Sequence, residues 1–370
     1  MFATQTLNVV DVTGPTTATT AAVGNSLSGA VDGASLGLTS SQAMAGSAAA
    51  STTITGSGSL GSTVTVVTEA VGNGGEAAAY NGAMTANVTQ GVTGGQITAD
   101  TTIDAASGRI TCCASVSTTA LANSQAYGVV GGTAATSTTQ FNTAIVQSQT
   151  GAVIQYMPAP AVFSSSSIAN NVSSSGENAT QSATVVQSVS GQRTQASTFV
   201  STGNAWDVTA AATATANNAA IVNQGGSLAA TTSQDNTSYV RSESVVNAYD
   251  YGAATAMSFG VGNSVLAGEN GGYVDIDNTQ LNSGGVEVVS TFTGQTGYDA
   301  YGSAIAQGNA ITGYACSECE ATLRAASRQT NDSDVSATTT MTVNGSGRAV
   351  VGNANAVGNS ATFYVTRPGT

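Results

Sequence analysis

The sequence contains no histidine and no lysine, and these absences limit its chemistry. Without histidine it lacks the usual side chain for acid–base catalysis near neutral pH and the commonest metal ligand. Without lysine it cannot form a Schiff base or hold a phosphate with an ammonium group. Its seven cations are therefore all arginines. We predict that the protein is not an enzyme and that it uses no cofactor.

Charged side chains are also scarce, at 7% of residues, and acids outnumber bases to give a net charge of −13. Nucleic acids are held by clustered lysine and arginine, and anionic membranes attract basic segments. The charge balance therefore argues against both as partners.

Long apolar runs are missing too. No stretch approaches the roughly 20 apolar residues that a membrane helix requires. The opening MFATQTLNVV has neither a basic segment nor a long apolar one, so no signal peptide is predicted, and whether one was removed stays open. Because 41% of residues are apolar, an ordered chain is nevertheless expected.

A repeated asparagine is the clearest feature that the sequence does have. The motif occurs in AAVGNSL, EAVGNGG, GVGNSVL and AQGNAIT, among other strings. The spacings between successive copies are 48, 50, 48, 47, 45, 46 and 44 residues. The predicted positions are Asn25, Asn73, Asn123, Asn171, Asn218, Asn263, Asn309 and Asn353.

A glutamine accompanies each asparagine except the last, 16 to 20 residues further on. The predicted positions are Gln42, Gln90, Gln140, Gln187, Gln234, Gln280 and Gln329. Two markers in phase indicate a structural repeat of about 47 residues, and such periods are typical of solenoids, propellers and arrays. We predict that these asparagines and glutamines form a structural ladder in which equivalent side chains stack.

The segments between the markers have strand chemistry. STVTVVTEA, GVEVVSTFTG and SATTTMTVNG alternate and are rich in valine and threonine, and glycine-rich turns separate them. The prediction is an all-β chain that forms a β-helix, or β-solenoid, of about eight repeats. Two coils of roughly 23 residues per repeat are preferred. One larger coil is the alternative for the repeat, and tandem β-sandwiches are the alternative for the fold.

The whole chain is predicted to be one elongated solenoid. Residues 1–14 would be an N-terminal cap or docking strand, residues 15–362 the repeats and residues 363–370 a C-terminal tail. Residues 155–170 contain two of the four prolines, which cannot donate to an interior ladder, so a loop excursion is predicted there.

The cysteines and acids offer few sites. A disulfide between Cys316 and Cys319 across a turn is predicted, while a bridge between the adjacent Cys112 and Cys113 is left open. Asp275 and Asp277 lie on one face of a predicted strand and are a weak candidate for Ca²⁺, although a solvated polar face is the preferred interpretation. Asn331, Asp332 and Asp334 are an equally weak Ca²⁺ candidate with the same preferred interpretation, and no other metal site is predicted.

The repeated A-x-G-N-S units, the chain rich in Thr, Ala, Val and Asn, and the opening ATQTLNVVDVTG resemble the holdfast anchor protein D family of stalked alphaproteobacteria. The resemblance implies a secreted protein at the cell surface, associated with the outer membrane. It implies an anchor or adhesin that tethers an adhesive polysaccharide, the holdfast. The implied partners are that polysaccharide, other holdfast anchor subunits and a curli-type outer-membrane export pore.

Two further consequences concern assembly and rival functions. Uncapped coils leave edges that template further stacking, so self-association into fibres is expected. A polysaccharide-degrading β-helix enzyme and a phage fibre protein are the alternative functions.

Overall fold

The computed structural model describes residues 1–316 and 321–366, and nearly all of them lie in β-strands. All of the strands belong to one 16-stranded sheet in which every pairing is parallel. The strands are β1 Phe2–Val9, β2 Thr16–Asp32, β3 Ser35–Met44, β4 Ala48–Gly56, β5 Ser59–Tyr80, β6 Ala83–Val92, β7 Gln96–Val130, β8 Thr133–Asn142, β9 Ile145–Val189, β10 Arg193–Asn236, β11 Tyr239–Glu269, β12 Tyr273–Asn282, β13 Val286–Cys316, β14 Thr322–Asn331, β15 Val335–Val343 and β16 Ala349–Thr366. A wholly parallel sheet of this kind confirms the predicted solenoid and excludes tandem antiparallel sandwiches.

The described residues contain no helix, and hence none that is long and apolar enough to cross a membrane.

One coil can be followed along β10. Residues 193–204 form its first segment, and a bulge at Ala205/Asp207 leads to a second segment that ends at Asn217. The third segment runs to a turn at Gly225 and Gly226, where both glycines have positive φ, and the fourth segment ends at Asn236. We call the outer rim at the first bend the bulged edge and the bend at Asn217 the asparagine corner.

Each repeat makes one coil. Stacked partners such as Phe2 and Ala49, or Asn263 and Asn309, differ by one full repeat. The preferred prediction of two coils per repeat was therefore wrong, and the alternative of one large coil describes the structure. The physical reason is that each coil holds four strand segments instead of two or three, so it needs twice the assumed length of chain.

Three apolar cores run along the stack, each built mainly of alanine and valine. The first lies between the first two segments at the bulged edge and includes Val200 and Val208. The second lies between the same segments near the asparagine corner and includes Ala196 and Ala214, and the third lies between the third and fourth segments. Small side chains suit this architecture because the two layers of a flattened coil approach closely.

The loop excursion predicted for residues 155–170 was wrong. Strand β9 passes through this region, and its partner register moves from Met157 opposite Ala205 to Pro160 opposite Asp207. The prolines sit at the bulge, where the ladder is already interrupted. A proline there costs the sheet little, so the chain stays in the stack.

The two ends of the chain are part of the stack. Phe2–Val9 of the predicted cap is a first segment that pairs only with β4. At the other end, β16 continues through residues 363–366, which were predicted as tail. The predicted tail was wrong for residues 363–366 because the alternating pattern that supports pairing extends further than the asparagine markers, and residues 367–370 lie outside the described residues. The cap or docking strand at residues 1–14 stays a prediction.

Candidate functional site

The first candidate site is an unbroken ladder of asparagine side chains at the asparagine corner. Each Asn donates from Nδ2 to Oδ1 of the Asn in the next coil, at 2.7–2.9 Å. The ladder consists of Asn25, Asn73, Asn123, Asn170, Asn217, Asn263, Asn309 and Asn359.

Three of the predicted members do not lie in this ladder. Asn170 and Asn217 take the places predicted for Asn171 and Asn218, because a one-residue shift turns a side chain from the interior to the other face of a strand. Asn218 and Asn171 bond to each other outside the ladder, at 2.8 Å. In the last coil Asn359 occupies the position predicted for Asn353, which is exposed and lies opposite Ser303.

The predicted glutamines form a second ladder that runs in the opposite direction. Each Gln donates from Nε2 to Oε1 of the Gln in the preceding coil, at 2.7–2.8 Å. The members are Gln42, Gln90, Gln140, Gln187, Gln234, Gln280 and Gln329.

The two ladders interlock through the backbone. Asn217 also donates to the carbonyl of Asp235, the residue after Gln234, at 2.9 Å. Gln234 in turn donates to the carbonyl of Ser264, the residue after the next asparagine, at 2.9 Å. With Asn170 and Asn217 in place, the asparagine-to-glutamine distance along the chain is 17 residues in the first six coils and 20 residues between Asn309 and Gln329. This reciprocal bonding explains why the two residue types recur in phase.

The glycine before the asparagine has a packing role. A Cβ on Gly262 would lie 2.6 Å from the carbonyl oxygen of Gly308 in the next coil. The glycines that precede ladder asparagines do not have positive φ, so close approach between coils, and not a left-handed backbone, requires them. Alanine, the next smallest residue, occupies the position in three coils, as Ala122, Ala169 and Ala216.

A row of buried hydroxyls, which the sequence analysis missed, separates the first two cores. Threonines from facing segments bond in a zigzag at 2.7–2.8 Å. The members are Thr20, Thr52, Thr68, Thr101, Thr118 and Thr150. The chain is rich in threonine, and only those at alternate, inward-facing positions of a strand belong to this row. The sequence does not show which of the two alternating sets faces inward.

The structure contains the disulfide that the sequence left open. Cys112 and Cys113 form a disulfide between adjacent residues in β7, on the outer side of the bulged edge. Cys316 is buried at the end of β13, and its predicted partner Cys319 lies outside the described residues.

Asp275 and Asp277 point to the same outer face of β12. Arg324 lies 3.8 Å from Asp275, and the Tyr273 hydroxyl donates to the same carboxylate at 3.3 Å. Within residues 1–316 and 321–366, no group of three or more acidic, cysteine or histidine side chains is arranged to hold a metal ion. An arginine beside the acid opposes a cation at this position.

Glu269 is a fully buried acid at the end of β11. Its Oε1 accepts from Asn223 at 3.2 Å, and its Oε2 has no hydrogen-bond partner among the described residues. Burial raises the pKa of this carboxyl from 4.5 to about 7, against the lowering effect of the Asn223 hydrogen bond.

A groove at the bulged edge combines large aromatic surfaces with the acid Asp250. It has a volume of about 640 Å³, and successive coils contribute Tyr156, Trp206, Gly252, Tyr298 and Ser346 to its lining. The Trp206 and Tyr298 rings meet edge to face with centroids 6.3 Å apart. Both side chains are exposed, at 63% and 52%.

One arginine supports this aromatic pair. The Arg348 guanidinium lies 5.5 Å from the centre of the Tyr298 ring and forms a two-pronged ion pair with Asp299. This hydrogen-bonded pairing lowers the pKa of the Asp299 carboxyl. Tyr251, in contrast, is 4% exposed and packs edge to face on Phe292 at 5.0 Å.

Comparison with known proteins gives one result. Residues 10–285 match the family described as Holdfast attachment protein D. No curated protein and no solved structure matches the chain. The matched region covers most of the solenoid, and the chain belongs to the Holdfast attachment protein D family.

Proposed function

We propose that this chain is a non-enzymatic rod at the outer surface of the cell that tethers an adhesive polysaccharide to the outer membrane. Family membership gives it a role in holdfast attachment at the cell surface. The tether itself, its outer-membrane location and its partners are our proposal. Those partners are the polysaccharide, other anchor subunits and a curli-type export pore.

The observation that carries the proposal is that both ends of the stack are open in the described part of the chain. Ala304 is fully buried, while Ala354, stacked on it in the last described coil, is exposed, since no other coil of the described residues lies on it. In the first coil the interior residue Ala3 is only partly buried, while Ala50, stacked on it in the next coil, is 2% exposed. Uncovered strand edges of this length are templates for further pairing.

The ladders make the two ends complementary to each other. At the C-terminal end Asn359 has no following asparagine to receive its amide hydrogen, and Gln329 has no following glutamine to donate to its oxygen. At the N-terminal end Asn25 presents an acceptor and Gln42 a donor. Head-to-tail stacking would therefore extend the asparagine ladder directly, whereas the glutamine ladder would skip the last coil, which carries no glutamine. Such rods would bridge the cell surface and the polysaccharide.

The stacking step is tested by placing a charge on the end face. Ala354→Lys puts an ammonium group where the next copy would bury it, and Asn355→Lys is the control, because the neighbouring residue points to the outer face. We expect wild-type and Asn355→Lys protein to form end-to-end assemblies in sedimentation and electron microscopy, and Ala354→Lys to remain short. Equal assembly of both variants would contradict head-to-tail stacking.

The tethering role is tested in cells of the source organism. Cells without the chain should shed their adhesive polysaccharide into the medium, and restoring wild-type protein should retain it on the surface. Retention in the absence of the chain would contradict the proposal. A purified protein that forms trimers with interleaved chains would instead favour the phage-fibre alternative.

A further inference from the structure

We propose that the groove at the bulged edge binds an uncharged polysaccharide chain, with Trp206 and Tyr298 as stacking surfaces and the Tyr251 hydroxyl as a hydrogen-bonding group in its wall. This inference rests on the proposed function, since it supplies a site at which the rod would hold its polysaccharide.

The shape of the groove favours a linear ligand. Its lining residues occupy equivalent positions in successive coils, so the groove runs along the rod axis. Successive coils are separated by about 4.8 Å, the usual distance between paired strands. A linear polymer lying parallel to the axis would cross one lining position per coil and would meet Trp206 and Tyr298 two coils apart.

The aromatic pair supplies the contact surface. Trp206 is the only tryptophan of the sequence, and it lies mostly in solvent beside Tyr298, which is about half exposed. Large apolar rings stabilise a fold when they are buried, so a cluster of exposed rings is typical of a binding surface. The flat face of a sugar ring, with its C–H groups, suits an aromatic face, while its hydroxyls suit the polar rim.

A buried hydroxyl gives the independent indication of a ligand. Tyr251 lines the same groove and is 4% exposed, yet its hydroxyl has no hydrogen-bond partner among the described residues. Leaving such a group unpaired is costly, and structures normally satisfy it. A sugar hydroxyl in the groove would provide the missing partner.

The charge of the groove selects among polysaccharides. Asp250 lines the main cavity, and Asp207 and Asp299 line its continuation of about 460 Å³ toward Arg348. Arg348 is already paired with Asp299, so the remaining acids leave a negative field. Uronate, sulfate or phosphate groups would be repelled, and an uncharged chain is expected.

The test is calorimetric titration of the full chain with hexasaccharides. Uncharged glucose, mannose, xylose and N-acetylglucosamine oligomers are compared with oligogalacturonate. The variants are Trp206→Ala, Tyr298→Ala and Tyr251→Phe. Tyr80→Ala is the matched control, because Tyr80 is 49% exposed and lies away from the groove, at the turn after the third segment.

We expect an uncharged oligomer to bind and the two alanine variants to weaken it roughly tenfold or more, as for central aromatic contacts. Tyr251→Phe should weaken it about fivefold, the equivalent of one hydrogen bond, and melting curves check that each variant is folded. Tyr80→Ala should bind like wild type.

If all three groove variants still bind the oligomer, the groove is not the binding site, and the proposed tethering function is unaffected. Preference for oligogalacturonate would overturn the assignment to an uncharged chain. If wild-type protein binds none of the oligomers, then the groove is not a polysaccharide site and the rod does not hold the polysaccharide by direct binding.

Discussion

Asn217 donates one amide hydrogen to Asn263 in the next coil and the other to the backbone of its own coil. Both amide hydrogens of each such side chain are therefore used. One hydrogen bond joins two neighbouring coils, and the other joins two strand segments of the same coil. Amide groups can do this without charge, and so the interior stays polar between two apolar cores at little electrostatic cost.

Removing one member of the asparagine ladder should lower the free energy of unfolding. Asn217→Ala leaves the amide of Asn170 without its acceptor and the oxygen of Asn263 without its donor, both buried. Each unsatisfied group costs about 1–3 kcal/mol, so a loss of roughly 3 kcal/mol in unfolding free energy is expected. Chemical denaturation followed by circular dichroism measures it.

The control for this ladder is Asn353→Ala, which removes the same side chain from an exposed position in the last coil. It should change stability by less than about 0.5 kcal/mol. Equal effects of the two substitutions would show that the ladder does not stabilise the stack.

The glycine before the asparagine should tolerate only small residues. A Cβ on Gly262 would lie 2.6 Å from the Gly308 oxygen and 2.5 Å from the Asn282 side-chain oxygen. Gly262→Val should destabilise the protein by roughly 1–3 kcal/mol, and Gly262→Ala by less, since other coils carry alanine at this position. Gly37→Val is the control because a Cβ there has no neighbour within 4 Å. If the Val variants at the two positions melt at the same temperature, close packing at the corner is not what selects glycine.

Much of this fold was readable from the sequence because equivalent residues of a parallel stack lie directly above one another. The Gln markers and five of the Asn markers, among them Asn25 and Asn263, are the residues that the structure brings together. The fold class followed from the same regularity. The errors arose where periodicity alone is ambiguous, as between the adjacent Asn170 and Asn171, which differ only in the face of the strand.

The number of coils per repeat and the groove needed the structure. Period length does not say how often the chain turns within a repeat, since a bulge such as that at Ala205/Asp207 has no consistent sequence signal. Trp206 and Tyr298 are 92 residues apart in a region without a shared motif. Tyr251 is one of eleven tyrosines in the sequence, and only its neighbours in the fold reveal that it is interior and that its hydroxyl has no partner among the described residues.

The Cys112–Cys113 disulfide should contribute little to global stability. A disulfide stabilises chiefly by closing a loop in the unfolded chain, and adjacent cysteines close almost none. The double variant Cys112→Ser with Cys113→Ser should unfold within about 1 kcal/mol of the oxidised wild type. Thermal melting of both proteins under oxidising conditions checks this, and a large fall in melting temperature would assign a structural role to the bridge.

Glu269 should make stability depend on pH. Its pKa in the folded protein is about 7, above the ordinary value of 4.5, because burial disfavours the carboxylate. The folded state therefore holds the proton more tightly than the unfolded state. The stabilisation is fully present below pH 4.5 and is lost as the pH rises through 7, by an amount on the order of 3 kcal/mol. Denaturation midpoints at pH 5 and pH 8 measure it.

Glu269→Gln should remove this part of the pH dependence, because a glutamine keeps the shape and the bond from Asn223 without a titrating proton. The matched control is Glu177→Gln, which changes an exposed acid at the end of a third segment in another coil. Since the chain carries a net charge of −13, general repulsion also weakens the fold at high pH, and the control retains that component. If the two variants have the same pH profile, the buried carboxyl is not the titrating group, and the loss of stability at high pH belongs to the surface charge as a whole.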